Sequence, residues 1–247
     1  MHSSKAPIIT LPGAIIIAGA IIVVAFIWVN RTPTSPHATQ IPVGSMPELN
    51  MRPVTVNDHI LGNPNAKIKI VEYSDPSCPY CKVFHPTMRK IMDEYGASGK
   101  VAWVYRHFPF DKPDENGRIL HINAGHEAQA MECAASLGGN EKFWAFVNHF
   151  YDVTPSVTPQ TPNGLDQKKL PTLAKDVGLD PVSFNECLSS GQFKDKVEAD
   201  YIDGINAGIS GTPYSIIITP SGNKVPISGA QPYLTVKTAI DALLAGN

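Results

Sequence analysis

The stretch SDPSCPYCK, residues 74–82, places two cysteines three positions apart between a strand pattern and a helix pattern. Before it, residues 67–74 alternate and then run apolar with β-branched side chains, which predicts a buried strand. After it, large apolar residues recur at helical spacing up to Tyr95, and Gly96 follows. Two cysteines at such a junction can form a redox dithiol, half of a metal site or a structural clip.

The start of a helix is a favourable place for a reactive thiol. If Cys78 occupies the N-cap, the unpaired amides and the positive end of the helix dipole favour its thiolate, the form that attacks or leaves in disulfide exchange. Pro79 suits the first helical position because its missing N–H would have no partner there. Cys81 then lies one turn into the helix and can close a disulfide with Cys78. The pattern therefore predicts a redox dithiol.

Neither a metal nor a nucleic acid is expected as a ligand. A structural zinc site generally needs a second close pair of ligands, whereas Cys133 and Cys187 are isolated and the histidines form no His-x-x-x-His pair. The net charge is −2, from 20 basic and 22 acidic residues, and no dense basic run is present. We predict no metal site and no cofactor beyond the dithiol.

The remaining pattern completes an α/β order of strand, helix, strand, helical block, two strands and helix. The predicted strands after the dithiol are 101–108, 215–219 and 224–229. The helical block is expected to contain helices at 124–137, from Asn140 to about 151, at 168–177 and at 193–207, and a last amphipathic helix covers 236–244.

From about Val54 onward, the chain resembles DsbA-like thiol:disulfide oxidoreductases. The motifs that carry the resemblance are DHILGNPNAKIKIVEYSDPSCPYC (58–81), VAWVYRHFP (101–109) and GISGTPYSIII (208–218). The resemblance implies a thioredoxin-like α/β fold over residues 53–247, with an inserted helical domain at about 118–209.

The resemblance also implies roles for residues of the Cys-Pro-Tyr-Cys and Gly-Thr-Pro motifs. Cys78 would be the solvent-facing nucleophile that forms a mixed disulfide, and Cys81 the buried partner that resolves it. Pro213 would be a cis-proline facing the dithiol, and Thr212 would offer backbone groups to a bound peptide. Tyr80, between the cysteines, would tune the redox poise. Here the chain departs from the proline–histidine pair of the best known members, so the oxidising strength stays open.

Two further side chains are candidates for supporting the dithiol. Glu72 falls where the fold tends to keep a buried acid under the resolving cysteine, and there it would accept the proton of Cys81. The alternative is a solvent-facing carboxylate on an alternating strand. His85 lies on the same helical face as Cys78, and its imidazolium would favour the thiolate. A packing or surface role for His85 is equally open.

The second pair of cysteines would staple the inserted helices, since similar proteins often do so. A Cys133–Cys187 bond would close a loop of about 54 residues. The alternative is two small buried thiols. Four cysteines in two pairs favour an oxidising compartment.

The amino-terminal part of the sequence is typical of a membrane anchor followed by a tether. After a short flank, 1–7, residues 8–29 carry no formal charge over a length that spans about 30 Å of hydrocarbon as a helix. The alternative interpretation is a cleaved signal peptide, although bulky residues occupy the positions where its cleavage site would lie. Residues 30–52 are rich in Pro, Ser and Thr, as in a flexible tether.

These features together predict a single-pass protein of the cell membrane with an extracytoplasmic catalytic domain. Its expected activity is to introduce disulfides into reduced exported proteins, with reoxidation by a membrane partner of the DsbB or vitamin K epoxide reductase type and lipid contact through residues 8–29. A disulfide reductase or isomerase that uses the same dithiol is the near alternative. A non-catalytic tethered binding or chaperone module is a more distant one.

Overall fold

The computed structural model describes residues 49–155 and 164–246. The predicted flank 1–7, the predicted membrane span 8–29 and most of the predicted tether lie outside these residues. Among the helices of the two described ranges, none combines the length and the apolar character needed to cross a membrane.

A five-stranded sheet forms the centre of the described fold. Its strands are β1 (His59–Leu61), β2 (Ile68–Ser74), β3 (Val101–His107), β4 (Tyr214–Ile218) and β5 (Lys224–Ser228). Their order across the sheet is β1-β3-β2-β4-β5, and β2 and β3 run parallel while the other neighbours are antiparallel. Strands β2 and β3 are buried on both faces apart from the partly exposed Lys69, which explains why the neighbouring residues Ile70 and Val71 are both apolar.

Six helices surround or extend from this sheet in the described residues. They are α1 (Pro79–Tyr95), α2 (Ala124–Val153), α3 (Leu170–Asp176), α4 (Pro181–Ser190), α5 (Lys194–Asn206) and α6 (Tyr233–Ala245), and a 3-10 turn (Gln167–Lys169) precedes α3. Helices α2 to α5 follow β3 and precede β4, at the place where the sequence predicted an insertion. Helix α2 is interrupted at Gly138 and Gly139, where the backbone is non-helical, so it contains the two helices predicted on either side of this pair.

The main core packs α1 against one face of the sheet and so fixes the position of the dithiol. Phe84, Met88 and Ile91 on α1 are essentially inaccessible to solvent and share a cluster with Trp103 of β3. Cys81 belongs to the same cluster. The start of α1 is therefore held rigidly at the end of β2 by burial of its apolar face.

The packed chain begins earlier than the predicted boundary at residue 53. Leu49 and Met51 are buried in a second apolar cluster that includes Val71 of β2. The Arg52 guanidinium lies 3.1 Å from Asp58 and also pairs with Asp200. The composition of residues 30–52 as a whole, rich in Pro, Ser and Thr, predicts a tether up to residue 52, but these long-range contacts bind residues 49–52 to the fold.

Two further elements were absent from the sequence-based prediction. Strand β1 is only three residues long, and it pairs with β3 at the sheet edge. Helix α4 begins at Pro181 after Asp180, whose carboxylate accepts a hydrogen bond from the backbone N–H of Ser183. Asp followed by Pro is a sound helix-start signal, and it was overlooked.

A disulfide joins Cys133 of α2 to Cys187 of α4, as the sequence analysis expected. Both residues are buried, and 54 positions separate them along the chain. The bond therefore fastens two helices of the insertion to each other.

Replacing both cysteines of this bond, as Cys133→Ser/Cys187→Ser, should lower the free energy of unfolding by about 4 kcal/mol, because the unfolded chain regains the freedom of a long loop. Urea unfolding measures the change. The matched control is Cys78→Ser/Cys81→Ser, which removes the other pair and should cost clearly less. An unfolding midpoint that stays at the wild-type value would show that the bond contributes nothing.

Candidate active site

Cys78 is the N-cap of α1, in an extended conformation, and Pro79 is the first helical residue. The Cys78 carbonyl accepts the first helical hydrogen bond, from the N–H of Lys82 at 3.1 Å. The Cys78 N–H donates to the carbonyl of Asp75, also at 3.1 Å. The strand-to-helix turn thus places the Cys78 sulfur at the end of the helix where free N–H groups collect.

The surroundings of Cys78 stabilise its thiolate. A hydrogen bond from the Cys81 thiol has the largest effect and lowers the pKa of Cys78 to about 6 against the opposing effect of burial. The side chain of Thr212 and the backbone N–H of Cys81 lower this pKa further, whereas the charge of Asp75 raises it. A large part of Cys78 is therefore ionised at neutral pH, when the pair is reduced.

Cys81 has the opposite character. It is completely buried, and burial raises its pKa well above the ordinary value. The hydrogen bond to Cys78 and the negative charges of Cys78, Glu72 and Asp75 raise it further. The two cysteines thus divide the charge unequally, with the proton on Cys81 and the negative charge on Cys78.

Cys78 is more covered than the sequence analysis expected. The prediction was a solvent-facing nucleophile, but only 5 % of the residue is exposed. The reason is the segment at Thr212, whose carbonyl oxygen lies 3.5 Å from the Cys78 sulfur. The Thr212–Pro213 peptide bond is cis, as expected, and the Pro213 carbonyl accepts a hydrogen bond from Gly229. This segment therefore contacts the nucleophile and leaves it a narrow opening.

Glu72 lies under the dithiol, on the buried face of β2 rather than in solvent. Its side chain is 1 % exposed, and its Oε2 accepts a hydrogen bond from Trp103 Nε1 at 2.9 Å. Burial is the main cause that raises the pKa of Glu72 to about 7, against the hydrogen bonds from Ser74 and Trp103, and the charge of Cys78 adds to the rise. A carboxyl group with this pKa can both take up and release a proton near neutral pH.

His85 does not provide a positive charge for the thiolate. The ring is buried between Trp103 and Tyr151, and its Nε2 lies 2.8 Å from Asn148 Oδ1. Burial lowers the pKa of His85 to about 4, so the imidazole is neutral at physiological pH. The packing reading of His85 is the one that the structure supports, because an apolar aromatic cage disfavours the charged ring.

Tyr80 lies on the exposed side of α1, with 66 % of the residue accessible. Val83, one turn along, is equally exposed. These two side chains give the surface beside Cys78 an apolar character.

A second polar cluster beside the dithiol was missed by the sequence analysis. Buried Asp75 accepts hydrogen bonds from the Ser77 N–H, the Phe110 N–H and His121 Nδ1, at 2.8, 2.8 and 2.7 Å. Ser77 Oγ donates to Glu127 Oε2 at 2.6 Å. Asp75 lies within the quoted motif, but two of its three partners, Phe110 and His121, come from the loop after β3, 35 and 46 positions away, where no local pattern marks them.

One group of side chains away from the dithiol has the spacing of metal ligands within the described residues. It consists of His107, Glu132 and Asp200, which are all buried. Lys196 Nζ, however, lies 2.8 Å from Asp200 Oδ2 and 3.7 Å from Glu132 Oε1. The Arg52 guanidinium also pairs with Asp200, so two cations already occupy these carboxylates and the donor set does not fit a resident metal.

Comparison with known proteins agrees with this architecture. The family model described as Thioredoxin matches residues 54–242. A provisionally named protein-disulfide oxidoreductase of Rickettsia prowazekii is 26% identical over 165 residues, which cover 65% of this chain and 53% of that protein. A protein of Bacillus anthracis with the provisional name disulfide bond formation protein D is 26% identical over 62% of this chain and 66% of its own length.

The crystal structure of Wolbachia pipientis alpha-DsbA1 has the same fold, with a TM-score of 0.64 and 24% identity, covering 78% of this chain and 94% of that chain. The chain spans about half to three-fifths of the length of the first curated relatives that it matches. The family match covers most of the chain and includes the dithiol, the cis-proline segment and the helical insertion. The chain therefore belongs to the DsbA-like family of thioredoxin-fold proteins.

Proposed function

We propose that the chain is a thiol:disulfide oxidoreductase that introduces disulfides into exported proteins through Cys78 and Cys81. The observation that carries the proposal is the division of charge at the start of α1. Cys78 is stabilised as a thiolate, and the adjacent Cys81 is kept as a buried thiol. A good leaving group beside a protonated resolving thiol is the arrangement that dithiol exchange requires.

The oxidising cycle moves two electrons from the substrate to the protein. A substrate thiolate attacks the Cys78 sulfur of the Cys78–Cys81 disulfide, and the electron pair of the broken bond goes to Cys81, which takes up a proton. A second substrate thiolate then attacks the substrate sulfur of the mixed disulfide. The electron pair of that bond goes to Cys78, which leaves as a thiolate, and the substrate departs with a disulfide.

The low pKa of Cys78 favours this direction. Because the better leaving group departs faster, the second step should release Cys78 rather than the substrate sulfur. Stabilising the thiolate also stabilises the reduced form of the protein, which makes the disulfide a stronger oxidant. A reductase or isomerase would use the same two sulfurs, but it would gain less from so stable a thiolate.

Glu72 is proposed as the proton acceptor of Cys81. The charges of Glu72 and Cys81 interact. Because the pKa of Glu72 is about 7, its carboxyl group can hold the proton while Cys81 is a thiolate. The proton would thus stay within the buried site, because both groups are shielded from solvent.

The proposed setting is the outer side of a cell membrane. The apolar segment 8–29 would anchor the protein in the lipid, and the following residues would connect it to the fold. The second disulfide, Cys133–Cys187, suits an oxidising compartment. After each turnover the reduced dithiol needs an oxidant, which we propose to be a quinone-linked membrane enzyme of the DsbB or vitamin K epoxide reductase type.

Refolding of reduced ribonuclease tests the oxidase activity. The oxidised protein should accelerate the appearance of ribonuclease activity, whereas Cys78→Ser should fall to the uncatalysed rate because the attacked sulfur is missing. Cys133→Ser/Cys187→Ser, assayed at a temperature where it is folded, is the control and should keep the activity. Equal rates with the wild type and with Cys78→Ser would exclude the proposal.

Glu72→Gln should slow the attack of Cys81 on a Cys78–glutathione mixed disulfide by about a hundredfold, because the proton acceptor is lost. In the wild type the rate should rise as the pH passes through about 7, where Glu72 loses its proton. In Glu72→Gln this rise should vanish, since Gln can still accept the Trp103 hydrogen bond but cannot titrate.

Rapid-mixing measurement of glutathione release over a range of pH gives both quantities. The matched control is Glu94→Gln, which changes an exposed acid on α1, the helix that carries the dithiol, and should leave the pH profile unchanged. If Glu72→Gln retained the wild-type profile, the proton of Cys81 would go elsewhere.

A further inference from the structure

The buried carboxylate of Asp75 lies beside the dithiol, where its negative charge disfavours ionisation of the two cysteines. Asp75 is inaccessible to solvent, and its charge raises the pKa of both Cys78 and Cys81. Its backbone also contacts both residues, since its carbonyl accepts the Cys78 N–H at 3.1 Å and its N–H lies 3.4 Å from the Cys81 sulfur. An unopposed negative charge at this place would disfavour the thiolate that exchange requires.

The Asp75 carboxylate is nevertheless needed for the shape of the turn. Its Oδ1 accepts the Ser77 N–H, and its Oδ2 accepts the Phe110 N–H, each at 2.8 Å. These bonds tie the strand-to-helix turn to the chain that leaves β3. Without them, two backbone N–H groups at the site would lose their partners, which is costly where water is scarce.

His121 supplies a charge of opposite sign to this carboxylate. Its Nδ1 lies 2.7 Å from Asp75 Oδ2, and its side chain is 15 % exposed. The ring also meets Phe110 edge-on. The hydrogen bond has the short length typical of a charge-assisted contact between an imidazolium and a carboxylate.

The groups around His121 favour its protonated form. Burial is the largest single influence and lowers the pKa of His121, but the hydrogen bond to Asp75 and the charges of Asp75, Cys78 and Glu127 together raise it above the ordinary value. Of these groups, Asp75 belongs to the turn, Cys78 to α1 and Glu127 to α2. Asp111, from the chain after β3, also lies within the influence of this carboxylate, since burial chiefly and the charge of Asp75 in addition raise its pKa.

We propose that His121 is a positioning residue for the dithiol: its imidazolium neutralises the Asp75 carboxylate and thereby leaves the Cys78 thiolate free of that opposing charge. This inference rests on the proposed function, in which the Cys78 thiolate takes part. The pKa of Cys78 in the reduced protein can nevertheless be measured without any substrate. His121 thus has the electrostatic role that the sequence analysis had considered for His85.

The inference has a specific signature in paired substitutions. His121→Gln can still donate a hydrogen bond to Asp75 but carries no charge, so it should raise the pKa of Cys78 by about one unit. The thiolate fraction at pH values below both midpoints then falls about tenfold. Asp75→Asn/His121→Gln removes both charges and should return the pKa of Cys78 close to the wild-type value.

Ultraviolet titration of the thiolate in the reduced full chain measures these midpoints. His149→Gln is the matched control, because His149 forms a similar pair with Asp176 on the surface of the insertion, at 3.1 Å, and it should leave the midpoint unchanged. At pH values above both midpoints, a rise of one unit in the pKa of Cys78 should also make the disulfide less oxidising, by about 30 mV in equilibrium with glutathione.

A second measurement avoids any change at Asp75, where a substitution could impair folding. By reciprocity, the Cys78 thiolate must stabilise the His121 imidazolium as much as the imidazolium stabilises the thiolate. The nuclear magnetic resonance titration of His121 in reduced Cys78→Ser should therefore shift to lower pH than in the reduced wild type.

An unchanged Cys78 midpoint in His121→Gln would overturn the inference. So would a His121 titration that is indifferent to Cys78→Ser. These outcomes are separate from the fate of the proposed function, because the wild-type protein could fail to oxidise ribonuclease and still show both couplings.

Discussion

The rest of the site depends on one constraint, the need to hold a negative charge on the Cys78 sulfur in a place that water hardly reaches. Only 5 % of Cys78 is exposed, so solvent supplies little of the stabilisation. The start of α1 supplies it instead, through the Cys81 thiol and the Cys81 N–H, together with the side chain of Thr212 from the segment before β4. Packing of α1 against the sheet keeps these donors in place around the sulfur.

The buried acids of the site follow the same constraint. Burial, the main cause, raises the pKa of both Glu72 and Glu127 to about 7, so each is only partly ionised at neutral pH and adds less negative charge beside the thiolate than an ordinary carboxylate would. Asp75 differs because backbone N–H groups and His121 hold its carboxylate. Each acid near the dithiol is thus balanced either by a proton or by a neighbouring donor.

The sequence was sufficient for the elements whose signal is local. The alternation of residues 67–74, the helical spacing up to Tyr95 and the cysteine pair between them predicted β2, α1 and the N-cap position of Cys78. The cis peptide at Pro213 was expected only through the family resemblance, since its own dipeptide carries no such mark. Family resemblance likewise gave the Cys133–Cys187 bond.

The features that sequence reasoning missed depend on contacts between distant segments. Leu49 and Met51 look like part of a linker until the apolar cluster on the second face of the sheet is known. His121 lies in a loop without periodicity, and only the folded chain brings it to Asp75, 46 positions away. His85 and His121 could not be distinguished by residue type, because their surroundings, an aromatic cage and a carboxylate, decide which ring is charged.

The redox equilibrium of the Cys78–Cys81 pair with glutathione tests the central claim most directly. Because the structure stabilises the reduced form through the Cys78 thiolate, we expect a potential closer to that of DsbA, about −120 mV, than to that of thioredoxin, about −270 mV. A potential at or below the thioredoxin value would contradict the account, since the same dithiol would then donate electrons rather than accept them.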